Sequence, residues 1–232
     1  MIKLAVSGAN GRMGRLIIDR IATEEGMEAV ASFDIRGEGV VHPEKMADTL
    51  RDRGVDVLVD FTVADAAIEN AITAAQSGVN LVIGTTGFSE DDLLKLRSEI
   101  EDRVAAVISP NFSIGVNLLW RLIKDAAAVL EGYDISIIEA HHRTKIDAPS
   151  GTALRAAKVL EDMGREVDIH AIRGGDIVGD HTVIFSGIGE RFEIAHHAQS
   201  RATFVNGVIR AVRWIHRREN GIYSMDDVMG WR

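Results

Sequence analysis

The stretch IKLAVSGANGRMG, residues 2–14, joins a short, mostly apolar run to a glycine-rich turn and the start of an amphipathic segment. A mostly apolar run of this length is typical of a strand buried in a parallel sheet. Gly8, Gly11 and Gly14 follow it in a GxxGxxG spacing. Such a turn brings backbone N–H groups and a helix N-terminus against a pyrophosphate. The stretch therefore predicts a strand, a phosphate-binding turn and a helix, in that order.

Strand-like and helix-like segments alternate through the first half of the chain. The predicted strands cover residues 2–7, 27–33, 55–62, 80–87 and 104–111. The predicted helices cover residues 12–23, 43–53, 64–77, 89–101 and 114–130. Five alternations are the pattern of a doubly wound parallel sheet, because each helix returns the chain to begin the next parallel strand. We therefore predict a Rossmann-like α/β fold for this part of the chain.

The pattern changes after residue 133. The strand-like runs DISIIEA, HTVIFSGIG and RFEIAHHA lack regular helical partners, and a helix is predicted at residues 151–163 among them. This order indicates an α+β domain on a mixed or antiparallel sheet. A last helical segment at residues 202–218 is expected to return to the first domain. The second domain would then be an insertion at residues 113–205, with residues 1–112 and 206–232 forming the dinucleotide-binding domain.

Charge and cysteine content exclude several classes of protein. The net charge of −9 argues against nucleic acid as a partner, although a local group of cations can still bind a small anion. The absence of cysteine excludes disulfides, thiolate nucleophiles and iron–sulfur clusters. No apolar run approaches the ~18–20 residues of a membrane helix, and the first residues do not read as a signal peptide. We expect a cytoplasmic protein that binds no membrane.

Candidate residues for dinucleotide binding follow the predicted strands. They are Gly8, Ala9, Asn10, Gly11, Arg12 and Met13, then Asp34, then Gly84, Thr85 and Thr86, and finally Ser109, Pro110, Asn111 and Phe112. Parallel strands place their carboxyl ends at one edge, so these turns should share it. Arg12 could contact a phosphate, and Asp34 could accept hydrogen bonds from ribose hydroxyls, which favours NADH. Arg36 would soften that preference.

Each of these features also has an ordinary structural interpretation. GxxGxxG alone is not specific, and it gains weight only from its place after the first strand of an alternating chain. Asp34 is equally suited to cap a turn. Gly, Thr, Ser, Pro and Asn are common in loops that bind nothing.

The segment EAHHRTKIDAPSGTAL, residues 139–154, gathers hydrogen-bond donors in one place. His141 and His142 can carry protons near neutral pH, and Lys145 is a cation and a possible proton donor. Residues 150–152 start a helix and present N–H groups and hydroxyls to an anion. The alternative is a solvated loop before a helix, with Asp147 neutralising one of the cations. In a chain with a dinucleotide turn, the set favours a site for a small carboxylate substrate.

Two histidine pairs, His141-His142 and His196-His197, raise the alternative of a metal site. Adjacent histidines in a strand point to opposite faces and chelate poorly. There is no HExxH motif and no compact Asp/Glu/His grouping of the usual spacing. We therefore expect no catalytic metal.

These blocks resemble the dihydrodipicolinate reductase family. The run HHRTKIDAPSGT is its most specific element. GANGRMG, VDFT, GTTGF, SPNFSIGVN, GERFEIAHHA and SRATFVNGVIRA resemble its other blocks in the same order, so the resemblance covers essentially the whole chain. It implies that residues 113–205 form a substrate-binding and oligomerisation domain, in a homotetramer that uses NADH or NADPH.

The resemblance also implies a reaction and roles for single residues. The enzyme would reduce 4-hydroxy-tetrahydrodipicolinate to (S)-2,3,4,5-tetrahydrodipicolinate in lysine and diaminopimelate biosynthesis. His141 would be the proton donor and acceptor, and Lys145 the second proton donor. The residues implied in binding the small dicarboxylate substrate are His142, Lys145, Ser150, Gly151 and Thr152. The chain departs from the family pattern in two places. Thr144 stands where family members often carry a third histidine. Family members also often carry Glu-Arg after the second strand, whereas here Ile35 separates Asp34 from Arg36.

Two other functions remain open at the level of the sequence. A non-catalytic NAD(H)-binding sensor of the same fold would tolerate loss of Lys145, which this chain retains. A different hydride-transfer enzyme, such as a homoserine or semialdehyde dehydrogenase, is the other alternative. A thiol-dependent semialdehyde dehydrogenase is excluded by the absence of cysteine.

Overall fold

The computed structural model describes residues 1–231, which form two compact units. The first unit contains Met1–Phe112 and the chain from Phe204 onward, and the second contains Ser113–Thr203. The strands are β1 (Ile2–Ser7), β2 (Met27–Phe33), β3 (Val57–Asp60), β4 (Asn80–Ile83), β5 (Ala105–Ile108), β6 (Asp134–His141), β7 (Val167–Arg173), β8 (Gly179–Gly187), β9 (Glu190–Ala198) and β10 (Gly221–Tyr223). The α-helices are α1 (Arg12–Ile21), α2 (Met46–Asp52), α3 (Ala64–Gln76), α4 (Glu90–Ile100), α5 (Ile114–Val129), α6 (Gly151–Glu161), α7 (Ala202–Ile215) and α8 (Met225–Met229), and a 3-10 turn (Pro43–Lys45) precedes α2.

The first unit is built on a six-stranded parallel sheet in the order β10-β5-β4-β3-β1-β2. Residues of β1 alternate between its two faces. Leu4 and Val6 pack with α1, α7 and α8, while Ala5 packs with α2, α3 and α4. Both faces are therefore covered by helices, which explains why the central strands are apolar on both sides. The predicted Rossmann-like, doubly wound sheet is confirmed.

The strand order reverses next to β1. β2 lies on one side of β1, while β3, β4 and β5 follow on the other. In open α/β sheets, ligands bind outside the carboxyl ends of the strands at such a switch point. The glycine-rich turn after β1 occupies that position.

The second unit contains a four-stranded mixed sheet in the order β7-β6-β8-β9. β6 pairs parallel with β7 and antiparallel with β8, and β8 pairs antiparallel with β9. Ile135 and Ile137 of β6 pack with α5 and α6 in the core of this unit. Side chains two residues apart lie on the same face of a strand, so Glu139 and His141 continue this buried row. Two polar residues are thereby placed at the end of an apolar face.

Two strands were missed by the sequence analysis. β7 has the sequence VDIHAIR, in which most side chains are at least partly exposed, and it lacks a clear alternation. β10 has only three residues, all partly buried. Several predicted strands were also too long, since β3 ends at Asp60 and β5 at Ile108, where polar turn residues take over. Among the described residues, no helix is both long and apolar enough to span a membrane.

Candidate active site

The glycine-rich turn after β1 is closed by backbone hydrogen bonds. The N–H groups of Gly8 and Ala9 donate to the carbonyl of Phe33 at 3.0 and 3.1 Å, and the N–H of Gly11 donates to Gly8 at 2.9 Å. Gly8 has a φ of +77°, which glycine adopts without strain. A Cβ on Gly14 would lie 2.1 Å from the Gly8 carbonyl oxygen. The spacing therefore packs the first turn of α1 directly against the turn.

The N-terminus of α1 has no side-chain cap. Gly11 is its N-cap, and the first helical turn contains no acidic residue. The N–H groups at a helix start carry partial positive charge and need acceptors, which a pyrophosphate can supply. Arg12 is exposed at the first helical position. These features fit the predicted phosphate-binding role.

Asp34 is tied to the same turn. Its Oδ2 accepts a hydrogen bond from the N–H of Asn10 at 2.9 Å, and its Oδ1 accepts one from Ile35 at 2.8 Å. The Asn10 side chain donates to the carbonyl of Arg36 at 2.5 Å. A carboxylate oxygen has more than one acceptor position, so both oxygens can also accept from ribose hydroxyls. Asp34 thus caps the turn and remains available to a ligand.

A buried polar network joins the carboxyl ends of β1, β3 and β4. Asp60 has no exposed surface. Its Oδ1 accepts hydrogen bonds from the Thr62 N–H at 3.0 Å, the Thr62 hydroxyl at 2.7 Å and the Thr85 hydroxyl at 2.8 Å. Its Oδ2 accepts from Asn70, which also donates to the Ser7 hydroxyl. Asp60 was not predicted as a site residue, although it fixes the turn that contains Thr85.

The remaining cofactor candidates lie at the ends of β4 and β5, which are neighbours in the sheet. The Ser109 hydroxyl donates to the carbonyl of Asn111 at 2.8 Å and accepts from its N–H at 3.3 Å. Phe112 is buried, with its ring centroid 5.9 Å from that of Phe61. Gly84 lies against the Phe61 ring, where a Cβ would be 2.2 Å from it. Their contact with a dinucleotide stays a prediction.

In the second unit, Glu139 is a fully buried carboxylate. Arg173 donates to both of its oxygens, from Nη2 to Oε1 at 2.7 Å and from Nη1 to Oε2 at 2.9 Å. The N–H of Ser150 donates to Oε1 at 3.1 Å, and the Nδ1 of His141 lies 2.5 Å from Oε2. Burial raises the pKa of the Glu139 carboxyl, but the hydrogen bonds from Arg173 and His141 outweigh it and leave that pKa below its usual value.

His141 lies at the end of β6 and is 8% exposed. Burial lowers its pKa below the usual histidine value, and the Glu139 carboxylate opposes that shift. The His141 ring makes an edge contact with the His181 ring, at 5.2 Å between centroids. A Cβ on Gly179 would lie 3.1 Å from the His141 Nε2, so glycine keeps that edge of the ring uncrowded.

The loop after β6 contains the other predicted donors. Lys145 Nζ pairs with the Asp147 carboxylate at 2.9 Å, and this hydrogen bond lowers the pKa of Asp147. His142 is half-buried, and its Nδ1 lies 2.8 Å from the Thr144 hydroxyl. Asp147 therefore neutralises one of the loop cations, as the sequence suggested. Thr144 also forms a contact at the position where family members often carry a histidine.

Helix α6 begins at the other side of this loop. Ser150 is its N-cap, and the Ser150 hydroxyl accepts from the Ala153 N–H at 3.3 Å and lies 3.2 Å from the His181 Nε2. Ser150 is 2% exposed, while Gly151 is exposed and Thr152 is half-buried. The helix N-terminus thus offers the positive end of its dipole, and the Ser150 hydroxyl is used inside the protein.

The histidines of β8 and β9 extend the polar row across the sheet. His181 pairs with Glu139 on one side and with His196 on the other. Burial lowers the pKa of His181 to about 4 and lowers that of His196 as well. The His196 Nε2 lies 3.4 Å from the Ser113 hydroxyl, whereas His197 lies on the opposite face and pairs with Asp180 at 3.2 Å. Within residues 1–231, no group of three or more His, Asp or Glu side chains is arranged to hold a metal ion.

Sequence reasoning missed Glu139, Arg173 and His181. A usable signal existed for Glu139, since it lies two residues before His141 in an otherwise apolar strand and must share its face. No local signal identified Arg173, because β7 was not predicted. His181 is brought in by strand pairing, which local sequence does not specify.

The comparisons with known proteins indicate one family, and together they cover almost the whole chain. The sequence profile described as dihydrodipicolinate reductase, N-terminus, matches residues 2–112, and the one described as dihydrodipicolinate reductase, C-terminus, matches residues 115–229. A 4-hydroxy-tetrahydrodipicolinate reductase from Methanothermobacter thermautotrophicus is 48% identical, over 99% of this chain and 99% of the relative. The enzyme of that name from Methanocaldococcus jannaschii is also 48% identical, over 99% of this chain and 98% of the relative.

A solved structure shows the same fold. The dipicolinate-bound dihydrodipicolinate reductase from Paenisporosarcina sp. TG-14 superposes with a TM-score of 0.82 at 25% identity, over 97% of each chain. The alignment with the Methanothermobacter relative spans 271 positions, so that relative carries segments absent from this shorter chain. The predicted resemblance is confirmed, and the chain belongs to the dihydrodipicolinate reductase family.

Proposed function

We propose that the protein reduces 4-hydroxy-tetrahydrodipicolinate to (S)-2,3,4,5-tetrahydrodipicolinate with loss of water, using NADH or NADPH, in lysine and diaminopimelate biosynthesis. Family membership supports this reaction. The observation that carries it is the pairing of His141 with the buried Glu139 carboxylate, beside a loop that holds Lys145. This pair and Lys145 together offer the proton donors that a reductase needs and that a binding-only sensor does not need.

The residues of the second unit supply the proton and the carboxylate-binding groups. His141 would exchange a proton through its Nε2, and Lys145 would be the second proton donor. His142, Lys145, Gly151 and Thr152 would bind the two carboxylates of the substrate, with the N-terminus of α6 adding positive potential. The Ser150 hydroxyl would act by holding His181 and the helix start, since it is buried. The dipicolinate bound by the Paenisporosarcina enzyme is a dicarboxylate of the same kind.

The residues of the first unit fit a nicotinamide dinucleotide. The uncapped N-terminus of α1 suits the pyrophosphate, and Asp34 suits the ribose hydroxyls. When bound, the dinucleotide supplies the hydride. Asp34 favours NADH by repelling a 2′-phosphate, while the exposed Arg36 tempers this preference. We expect both cofactors to be accepted, with NADH preferred.

We further propose a cytoplasmic homotetramer, as the resemblance implies. Ile172 and Phe192, on the two edge strands of the second sheet, are 51% and 47% exposed. Edge strands present unpaired backbone groups with which a strand of another chain can pair, and an exposed apolar side chain favours covering such an edge. Light scattering on the purified protein would measure the number of chains directly, and a monomer would refute this part of the proposal.

A coupled assay tests the reaction. Dihydrodipicolinate synthase would make the substrate in place from pyruvate and aspartate semialdehyde, and the absorbance of NADH or NADPH would be followed at 340 nm. We expect oxidation that depends on both the synthase and this protein. Omitting either one is the control. Folded protein that binds NADH but oxidises neither cofactor would instead support a sensor or a dehydrogenase with another substrate.

A further inference from the structure

Glu139 lies at the centre of a hydrogen-bond cluster in which its own side chain is fully buried and those of His141 and Arg173 are mostly buried. Both oxygens of this fully buried carboxylate accept from Arg173, and the Ser150 N–H adds a third donor. The fourth partner is the His141 Nδ1, at 2.5 Å from Oε2. A buried charge is tolerated only when it is paired and hydrogen-bonded. The four hydrogen bonds to the Glu139 carboxylate meet both conditions.

We propose that Glu139 is a positioning residue that fixes His141 as the Nδ1–H tautomer, so that proton exchange takes place at Nε2. The inference rests on the proposed function. It assigns a role to Glu139, which is not among the residues predicted to donate protons or bind substrate. Arg173 completes the arrangement by keeping Glu139 ionised.

The tautomer follows from the donors around the carboxylate. An ionised carboxylate only accepts hydrogen bonds, and the guanidinium of Arg173 only donates them. The proton between Glu139 and His141 must therefore come from the imidazole, at Nδ1. The lowered pKa of Glu139 agrees with an ionised carboxylate. Because Nδ1 keeps its proton in the neutral and the charged ring, only Nε2 gains or loses one.

The surroundings of Nε2 leave it available. Among the described residues, the His141 Nε2 makes no hydrogen bond, and Gly179 leaves space beside it. The titratable and charged groups that face this ring are Glu139 on its own strand, Arg173 on β7, His181 on β8 and Lys145 in the following loop. Of these, only Glu139 holds the ring by a direct hydrogen bond.

Arg173 also connects the cluster to the loop that carries the second proton donor. Its Nη2 donates to the carbonyl of Asp147 at 2.5 Å, and the Asp147 carboxylate pairs with Lys145 at 2.9 Å. The same guanidinium therefore holds the partner of His141 and the loop of Lys145. This geometry connects the two proposed proton carriers through one partly buried arginine.

Glu139→Gln tests the proposal with almost no change of volume. The amide would place its oxygen toward the Ser150 N–H and its NH2 group toward His141, which forces the Nε2–H tautomer. Because proton transfer by a positioned group contributes about 10²–10⁴-fold, we expect kcat to fall by at least about 100-fold. NADH affinity, measured by fluorescence titration, should change by less than about twofold. Glu24→Gln, which removes an arginine-paired carboxylate of the first unit, is the matched control.

Nitrogen-15 NMR of histidine-labelled protein supplies a readout that does not depend on turnover. The His141 resonances would be assigned with His141→Gln. Wild-type protein should show Nδ1–H at every pH, with only Nε2 titrating, and Glu139→Gln should show Nε2–H. Glu139→Asp keeps the charge and should recover part of the lost kcat. If the glutamine variant does not fold, the wild-type tautomer and the aspartate variant still decide the question.

Two results would overturn the proposal: a wild-type His141 protonated at Nε2 in the neutral form, or a folded Glu139→Gln variant with unchanged kcat. Failure of the proposed function would look different. In that case the wild-type protein would show no synthase-dependent oxidation, while the NMR measurement would still report whether Glu139 sets the tautomer.

Discussion

Asp60 in the first unit and Glu139 in the second are both carboxylates without exposed surface, yet their partners differ in kind. Asp60 is surrounded by neutral donors, namely hydroxyls, an amide and a backbone N–H. Glu139 is surrounded by a guanidinium, an imidazole and one backbone N–H. Neutral donors satisfy a carboxylate without offering it a proton to exchange. A titratable partner lets a carboxylate set where the proton of that partner resides. Asp60 is therefore suited to hold strand ends in place, and Glu139 to direct proton transfer.

The largest loss in the free energy of unfolding should come from removing the cation beside Glu139. Arg173→Ala leaves a buried carboxylate with only part of its compensation, and breaking a buried pair in this way costs about 3–5 kcal/mol. Urea unfolding at pH 7 would measure the loss, which should shrink at lower pH as Glu139 becomes protonated. Arg191→Ala, which breaks the exposed pair with Glu193, is the control and should cost at most about 1 kcal/mol. Equal losses for the two variants would contradict the assigned importance of Arg173.

His181, the cross-strand neighbour of Glu139 on β8, should make the second unit sensitive to acid. The folded pKa of His181 is lowered to about 4, whereas the unfolded chain should have the ordinary value of about 6.5. The unfolded state therefore binds the extra proton first. The stability associated with neutral His181 is complete above pH 6.5 and is lost as pH falls toward 4, by at most about 3 kcal/mol.

His181→Asn should make that loss of stability between pH 6.5 and 4 shallower, as measured by urea unfolding at several pH values. The other groups that face this ring are His141, Glu139, His196 and Asp180, and all of them remain in the variant. His197→Asn, an exposed change on the neighbouring strand, should leave the slope unaltered. Parallel pH profiles for wild type and His181→Asn would show that His181 does not cause the sensitivity.

Removing the charge of Asp60, the buried carboxylate of the first unit, should affect cofactor binding more than turnover. Asp60→Asn turns one acceptor into a donor, and Asn70 can partly compensate by turning its amide, so we expect a loss of about 1–2 kcal/mol in stability. The Thr85 turn would loosen, raising KM for NADH severalfold while kcat at saturating NADH changes less than about twofold. Asp56→Asn, at the opposite end of β3, is the control. A large fall in kcat would erase the distinction between the two carboxylates.

The smallest expected effect concerns the choice of cofactor. Asp34→Ala removes the negative charge that we propose faces the ribose, so the ratio of kcat/KM for NADH to that for NADPH should fall by about tenfold, which corresponds to ~1.4 kcal/mol. Loss of the Asn10 contact should cost little of the overall stability. Glu38→Ala, a nearby exposed change, is the control. An unchanged ratio would remove Asp34 from the ribose site.

Five of the six strands in the sheet of the first unit were predictable from local sequence, and the three-residue strand β10 was not. An apolar run, a polar turn and an amphipathic helix recur, and the glycine spacing of residues 8–14 marks the tight turn that is predicted to bind phosphate. Helix α4 begins close to the predicted position, where the Ser89 hydroxyl caps it by accepting from the Asp92 N–H at 3.1 Å. Element ends were less accurate, because hydrogen bonds such as those of Asp60 end β3 earlier than the apolar run suggests.

The buried cluster of the second unit was only partly predictable. His141 and Lys145 stand out as chemistry-bearing residues, but their partners come from elsewhere in the chain. Arg173 reaches Glu139 through the parallel pairing of β6 with β7, and His181 through the antiparallel pairing with β8. Strand register depends on which face is buried across the whole sheet, and a local pattern does not contain that information.

The most direct test of the account follows the hydride itself. The synthase-coupled reaction would be run with NADH carrying deuterium at both C4 positions, and the tetrahydrodipicolinate would be analysed by mass spectrometry. We predict a product with one deuterium, formed only when synthase and this protein are both present. A product without deuterium, or NADH oxidation without this product, would contradict the claim that the protein transfers hydride to 4-hydroxy-tetrahydrodipicolinate.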